Sequence, residues 1–217
     1  MTEKQWLASD NPEALLKYVA GRVSARKFRL TLCGCLRAPQ VWALLTGPAS
    51  RRAVEVAEAF VEGAATLQQL GQARTNANAA ANRAWRKAHA SCPAPSLANR
   101  VCWQDGNLSA YTHPSSADQQ IGRLPALAGL IRDVLGNPFR PPTNPSAWLV
   151  PSVVSIAQAA YEERALPSGE LDAARLAVLA DALEEAGCSD AEILSHLRSP
   201  GQHVRGCWAL DLILGKG

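Results

Sequence analysis

Phenylalanine and tyrosine are scarce in this chain, three of each in 217 residues. That scarcity argues against a sheet-rich fold, because strands favour β-branched and aromatic side chains. Alanine is used heavily instead, which tilts the composition towards helix. Long apolar runs are missing too. The longest are a few residues, far short of the roughly 20 that span a bilayer, and the opening Met-Thr-Glu-Lys-Gln-Trp has no apolar signal-peptide core. A cytoplasmic protein without membrane contact is the expectation. There is no Gly-x-Ser-x-Gly elbow, no phosphate-binding Walker loop, no dinucleotide fingerprint and no repeat at a fixed period, which leaves the common hydrolase, nucleotide and solenoid classes without a signature.

Cysteine is present, at positions 33, 35, 92, 102, 188 and 207, but in no Cys-x-x-Cys pair. Cys33-Gly-Cys35 is one residue too short for that pattern. In a reducing compartment these thiols read most simply as small buried hydrophobes, and no cofactor is expected. Charge is uneven. Residues 1–145 hold 17 Lys/Arg against 9 Asp/Glu, a surplus of 8, and residues 146–217 hold 5 against 10, a deficit of 5. Such asymmetry marks either a nucleic-acid surface or two halves that complement each other.

Helix punctuation recurs along the chain. Thr2-x-x-Gln5 and Thr66-x-x-Gln69 are capping boxes, Asn11-Pro12 is an N-cap followed by proline at the first helical position, and Ser24, Ser50, Ser152 and Ser189 read as further starts. Leu176, Leu179, Ala180 and Leu183 recur at helical spacing. The stretch Thr75–Ala90 is rich in Ala and Asn and predicts a loosely packed helical arm. Residues 93–120, with Pro93, Pro95, Asp105-Gly106-Asn107 and His113-Pro114, are turn chemistry. A helix bent near Pro125 carries Leu127, Leu130, Ile131 and Val134 inward, and the sequence from His203 to Leu214 reads as a final helix with Trp208 on its buried face and Asp211 off it. The chain is therefore expected to be an all-α, compact multi-helix domain with its N- and C-terminal helices packed together. Residues 1–92 form an N-terminal helical part, 93–120 a linker or insertion, and 121–217 a C-terminal part packing on the first, one domain overall.

Three constellations carry chemistry. No metal is expected, but if zinc is present, Cys188, His196, His203 and Cys207 would supply the two thiolates and two imidazoles of a tetrahedral site, and a helix including His203 places His203 and Cys207 on one face. Cys207 beside Arg205 and near His203 has the residue types of an activated thiol, without sign of an oxyanion hole, so no catalytic residue is assigned. Arg22, Arg26, Lys27 and Arg29 follow helical spacing and form a candidate anion or nucleic-acid contact, although aromatic interleaving is sparse. The expectation is a non-catalytic protein-interaction or regulatory module with a protein partner. A nucleic-acid-binding protein and a zinc-binding protein are the alternatives.

Several motifs taken together resemble a known family. Thr2-Glu3-x-x-Trp6-Leu7, Arg26-Lys27-x-Arg29-Leu30, Arg51-Arg52-Ala53-Val54-Glu55-Val56-Ala57-Glu58, Gly136-Asn137-Pro138-Phe139-Arg140-Pro141, Leu179-Ala180-Asp181-Ala182-Leu183-Glu184-Glu185-Ala186-Gly187-Cys188 and His203-Val204-Arg205-Gly206-Cys207-Trp208 are similar to a family of bacterial helical proteins that occurs in many copies in large, high-GC genomes. The likeness spans most of the chain outside about 75–120 and implies no activity or cofactor. The run Arg175–Gly187 also resembles a short helical module found beside repeat domains, with Ala182 where that module has Trp.

Overall fold

A computed structural model describes residues 1–88, 98, 101–102, 124–140 and 147–216, with the side chains of 84, 85, 87 and 88 left out. Most of the 93–120 turn region therefore lies outside the described residues. Eleven helices are found among those residues: α1 (Glu3–Ala8), α2 (Pro12–Val19), α3 (Ala25–Arg37), α4 (Pro39–Trp42), α5 (Pro48–Val61), α6 (Leu67–Ala88), α7 (Ala126–Leu135), α8 (Pro151–Glu162), α9 (Ala173–Glu185), α10 (Ala191–Leu197) and α11 (Trp208–Leu214). Between α8 and α9 sits a two-stranded antiparallel hairpin, β1 (Arg164–Ala165) and β2 (Glu170–Leu171). The fold is all-α with this one small exception. No helix among the described residues is long and apolar enough to cross a membrane.

The caps explain most helix starts. The Thr2 and Gln5 side chains satisfy each other's backbone N–H at α1, and Thr66 and Gln69 do the same before α6. Asn11 caps α2 and Ser24 caps α3. Three helix starts differ from the sequence reading, besides that of α11. α5 opens at Pro48 behind Gly47, so Ser50 lies inside it. α8 opens at Pro151 behind Val150. Asp190, not Ser189, caps α10, its carboxylate accepting from the N–H groups of Glu192 and Ile193; a carboxylate also suits the positive end of the helix dipole better than a hydroxyl.

Apolar residues gather in two clusters. The first joins Trp6, Leu15, Val19, Phe28, Leu30, Val54, Leu70, Leu127, Ile131 and Val134. The second joins Val153, Tyr161, Leu176, Leu179, Leu183, Ile193, Leu210 and Ile213. α7 packs on α2 and α3 within the first cluster, so this helix, assigned by sequence to the C-terminal part, completes the N-terminal core. α6 lies against α5, burying Leu70 and Ala73 in its first half. In the stretch read as a loosely packed arm, Ala77 alone is buried among the described side chains. The two ends of the chain meet at Gly136. The Trp6 indole N–H donates to its carbonyl at 3.1 Å, while a Cβ at this residue (φ 66°) would lie 3.0 Å from Cγ of Trp208. Glycine supplies both the left-handed turn that ends α7 and the room for that ring.

Ion networks tie the clusters together. Arg26 donates to Asp211, Glu62 and Tyr161, at 2.6, 3.0 and 2.7 Å, and Lys216 bonds Glu62 at 2.6 Å. Burial alone would raise the Glu62 carboxyl, but hydrogen bonds from Lys216, Tyr161 and Arg26 outweigh it and hold the pKa at about 2, down from 4.5. Glu58 is likewise held below its ordinary value, burial being outweighed by Arg37 and Arg164. A folded-state pKa below the unfolded one stabilises above the unfolded value and is lost as pH falls through the folded one. The contribution of these ion pairs to the urea midpoint is therefore expected to hold down to about pH 4.5 and to fall steadily towards pH 2. A midpoint that declines no further below pH 4 would show these carboxyls unpaired.

Candidate metal centre

α7 is apolar on its inner face, with Leu127, Leu130, Ile131 and Val134 buried, yet Asp133 sits among them at 3% exposure. A carboxylate in that position needs partners. They come from far along the chain. His203 Nδ1 lies 2.7 Å from Asp133 Oδ1, the Val204 N–H donates to Asp133 Oδ2 at 2.8 Å, and His196 Nε2 lies 3.2 Å from Asp133 Oδ1. The same His196 nitrogen is 3.2 Å from Cys207 Sγ. The four donor atoms of Asp133, His196, His203 and Cys207 all lie within 4.8 Å of one another.

Local structure makes this convergence possible. His196 projects from the last turn of α10. Residues 203–207 are not helical, contrary to the sequence reading: Val204 forms an antiparallel bridge with Glu170, and Leu171 N–H donates to the His203 carbonyl at 2.8 Å. Gly206, at φ 91°, then turns the chain into α11, and a Cβ there would meet Leu30 Cδ1 at 2.8 Å. Tertiary partners for the His203 carbonyl and the Val204 N–H outcompete the helix that local pattern favours.

Burial and pairing shift the groups of this cluster in opposite directions. Burial would raise the Asp133 carboxyl, but the two histidines hold it below the usual carboxylate range. Burial lowers His203, and Asp133 more than reverses that, leaving it above its ordinary value. The Cys207 thiol is pushed well up, first by complete burial and then by the Asp133 charge. His203 Nε2 faces the Ser199 hydroxyl at 3.2 Å and the Ser199 carbonyl at 3.4 Å. Were an ion bound, an N–H on Nε2 would have these acceptors and Nδ1 would be free to ligate, the way outer partners orient metal-binding histidines.

The arrangement is not a nucleophile relay. A relay base uses one ring nitrogen for the nucleophile and the other for the carboxylate, whereas His196 presents a single nitrogen to both. Arg205, expected to activate Cys207, instead lies over the Tyr161 ring at 5.4 Å, and the thiol is raised rather than lowered. Of the four sequence candidates for zinc, His196, His203 and Cys207 come together. Cys188 does not join them: it is buried in the second cluster just past α9, and Asp133 takes its place.

The basic set is placed differently from its reading as an outer face. Arg26 and Lys27 converge on Asp211, at 2.6 and 2.7 Å, and Lys27 also donates to the carbonyls of Val134 and Gly206. Arg29 is buried with its guanidinium 5.1 Å from the Phe60 ring centre. Arg22 is exposed, 4.4 Å from the Tyr18 ring. Asp211, expected at the margin, is therefore buried as the acceptor for two cations, while Trp208 is only partly buried. Trp208, with Trp6, Arg132, Asp133, His196 and His203, lines a cleft of about 410 Å³. No protein-family model, curated protein or solved structure matches this chain.

Proposed function

We propose that this is a zinc-binding protein in which Asp133, His196, His203 and Cys207 hold one Zn²⁺. The observation that supports this reading is the convergence of four donor atoms from three separate chain segments within 4.8 Å, in a pocket where only His196 has appreciable exposure. Of the interaction-module, nucleic-acid and zinc readings open from sequence, only the last has a set of atoms to point to. Imidazole and thiolate favour zinc over calcium or magnesium, which prefer all-oxygen shells. Tetrahedral zinc donors stand roughly 3.3–3.7 Å apart, given metal–ligand lengths of about 2.0–2.3 Å. Two contacts already lie at 3.2 Å, and the 2.7 Å Asp133–His203 contact would open by roughly 0.6 Å on loading.

The ion would clasp α7, α10 and the 203–207 segment, elements drawn from both apolar clusters. Its binding energy is then folding energy. Purified protein is expected to carry one equivalent of zinc by elemental analysis and to lose thermal stability on chelation. A ligand present at about a thousand times its Kd stabilises by about 4 kcal/mol. Cys207→Ser and His203→Ala should lose the zinc, and Cys188→Ser should keep it. Wild-type protein without stoichiometric zinc after reconstitution would overturn the proposal, and the cluster would then be an Asp133 carboxylate held by imidazolium protons. Loss of zinc from Cys188→Ser alone would overturn the ligand set.

A further inference from the structure

Between Glu62 and Asp105 the chain has five Lys or Arg and no acidic residue, and α6 lies inside that span. Its buried side is narrow, formed by Leu70, Ala73 and Ala77. At 3.6 residues per turn the opposite side carries Gln68, Gln72, Thr75, Asn82, Arg83 and Arg86, and all six are exposed. α5 is 14 residues long against 22 for α6, and a short turn joins them. At 1.5 Å per residue, about 12 Å of α6 therefore runs past the start of α5. Arg83 and Arg86 stand on that extension, and among the described residues neither has a carboxylate in ion-pair contact. Gln72 Nε2 donates to Asn76 Oδ1 at 3.0 Å, so the pair still presents one amide oxygen and one amide N–H₂ on neighbouring turns. A merely solvated helix face usually mixes both signs of charge. This one has amides and guanidinium groups and no carboxylate. It is a different surface from the Arg22–Arg29 set, in which Arg26, Lys27 and Arg29 turn inward.

We infer that α6 lies in the major groove of double-stranded DNA, with Arg83 and Arg86 on phosphates and the amides of the outward stripe on base edges. The inference is independent of the zinc reading. The major groove of B-form DNA admits one α-helix, and amide side chains match the paired donor and acceptor of adenine there. A polyanion selects a surface free of carboxylates, because each cation that neutralises a phosphate releases a counterion. The overrun of α6 past α5 lets its outer end enter a groove without the neighbouring helix colliding with the backbone.

The test uses the full chain and a fluorescein-labelled, mixed-sequence DNA duplex, with anisotropy read between roughly 50 and 200 mM salt. Saturable binding that weakens with salt is expected. Replacing both arginines, Arg83→Gln with Arg86→Gln, should lower the slope of log K against log salt by about two, one per lost phosphate contact, and weaken binding roughly a hundredfold at the lower salt. Arg22→Gln, an equally exposed cation outside α6, should change neither. Thr75→Glu sets a carboxylate in the middle of the stripe and should abolish binding. Selection from a randomised duplex pool should enrich a common sequence with the wild type and none with Gln72→Ala, Asn82→Ala, which keeps the charge. All these side chains are exposed, so each variant should keep the wild-type urea midpoint. No binding at the lower salt, or binding that the double arginine variant leaves unchanged, overturns the assignment to α6. Binding without any enriched sequence overturns the contact with base edges. Tighter binding to an RNA duplex of the same sequence overturns the groove, because the A-form major groove is too narrow to be read.

Discussion

Glu58→Gln is expected to destabilise the protein by about 3–5 kcal/mol, the usual cost of removing one partner from a buried ion pair. Glu58 is 4% exposed and accepts from two arginines. Arg37 approaches with Nε and Nη2 at 2.6 and 2.8 Å, and Arg164 with Nη2 at 2.8 Å. Arg37 also donates to the Pro167 carbonyl at 2.7 Å, which anchors the hairpin to α3. Glutamine keeps the shape but removes the charge and turns an N–H₂ towards a guanidinium that has only donors to offer. Two cations then remain in a site that already leaves Arg164 Nη1 buried without a partner. Against a total of about 5–15 kcal/mol for a domain, this is a large fraction. It should appear as a lower urea midpoint at unchanged slope, followed by far-ultraviolet circular dichroism. Replacing all three residues by apolar ones of similar volume should recover most of the loss, because the desolvation cost goes with the charges. A change below about 1 kcal/mol for the single variant, the magnitude of an exposed pair, would show that water reaches these groups.

Much of the helical framework was legible because its signals are local. Thr2 with Gln5 and Thr66 with Gln69 lie three residues apart, so each capping box is written in a few letters and no distant contact overrides it. The stripe Leu176, Leu179, Ala180 and Leu183 was read as a buried face and is one. What failed depended on partners far along the chain. Arg26, Lys27 and Arg29 have the spacing of a solvated basic face, and nothing near them announces that Asp211 will be buried against the first two, 185 residues beyond Arg26. The C-terminal segment has helical periodicity from His203, but the Asp133 carboxylate and the edge of β2 take the backbone groups of residues 203 and 204.

The candidate metal centre was only partly legible for the same reason. His196, His203 and Cys207 stand within twelve residues, and their types suggest a ligand set. The fourth proposed ligand, Asp133, lies about seventy residues earlier on α7. The signal available for it was an acidic residue on the inner stripe of an apolar helix: Asp133 falls among Leu130, Ile131 and Val134. A charge there must be paired or bind an ion, which makes it a better candidate than Cys188, whose burial in an apolar cluster needs no partner.

Deleting residues 203–217 is expected to yield a chain with no cooperative unfolding transition. The apolar loss is considerable: Val204 leaves the first cluster, and Cys207, Ala209, Leu210 and Ile213 leave the second. Truncating one large buried side chain costs about 2–5 kcal/mol, so two or three such losses approach the whole stability of a domain. The charges make it worse. Asp133 loses both His203 and the Val204 N–H, and the remaining contact, His196 at 3.2 Å, does not neutralise it unless that ring is protonated. Arg26 and Lys27 lose Asp211, and Glu62 loses Lys216. The truncated protein should be insoluble or bind a hydrophobic dye with its near-ultraviolet dichroism gone. A milder variant separates the contributions. Asp211→Asn leaves every apolar contact and all four proposed metal donors in place, so it should retain one zinc while losing about 3–5 kcal/mol, because Lys27 is left with backbone carbonyls alone and Arg26 with Glu62 and Tyr161. If the truncated chain keeps a sigmoidal unfolding curve and a dispersed proton spectrum, the segment is an appendage, and neither the ion network nor the metal centre holds the two apolar clusters together.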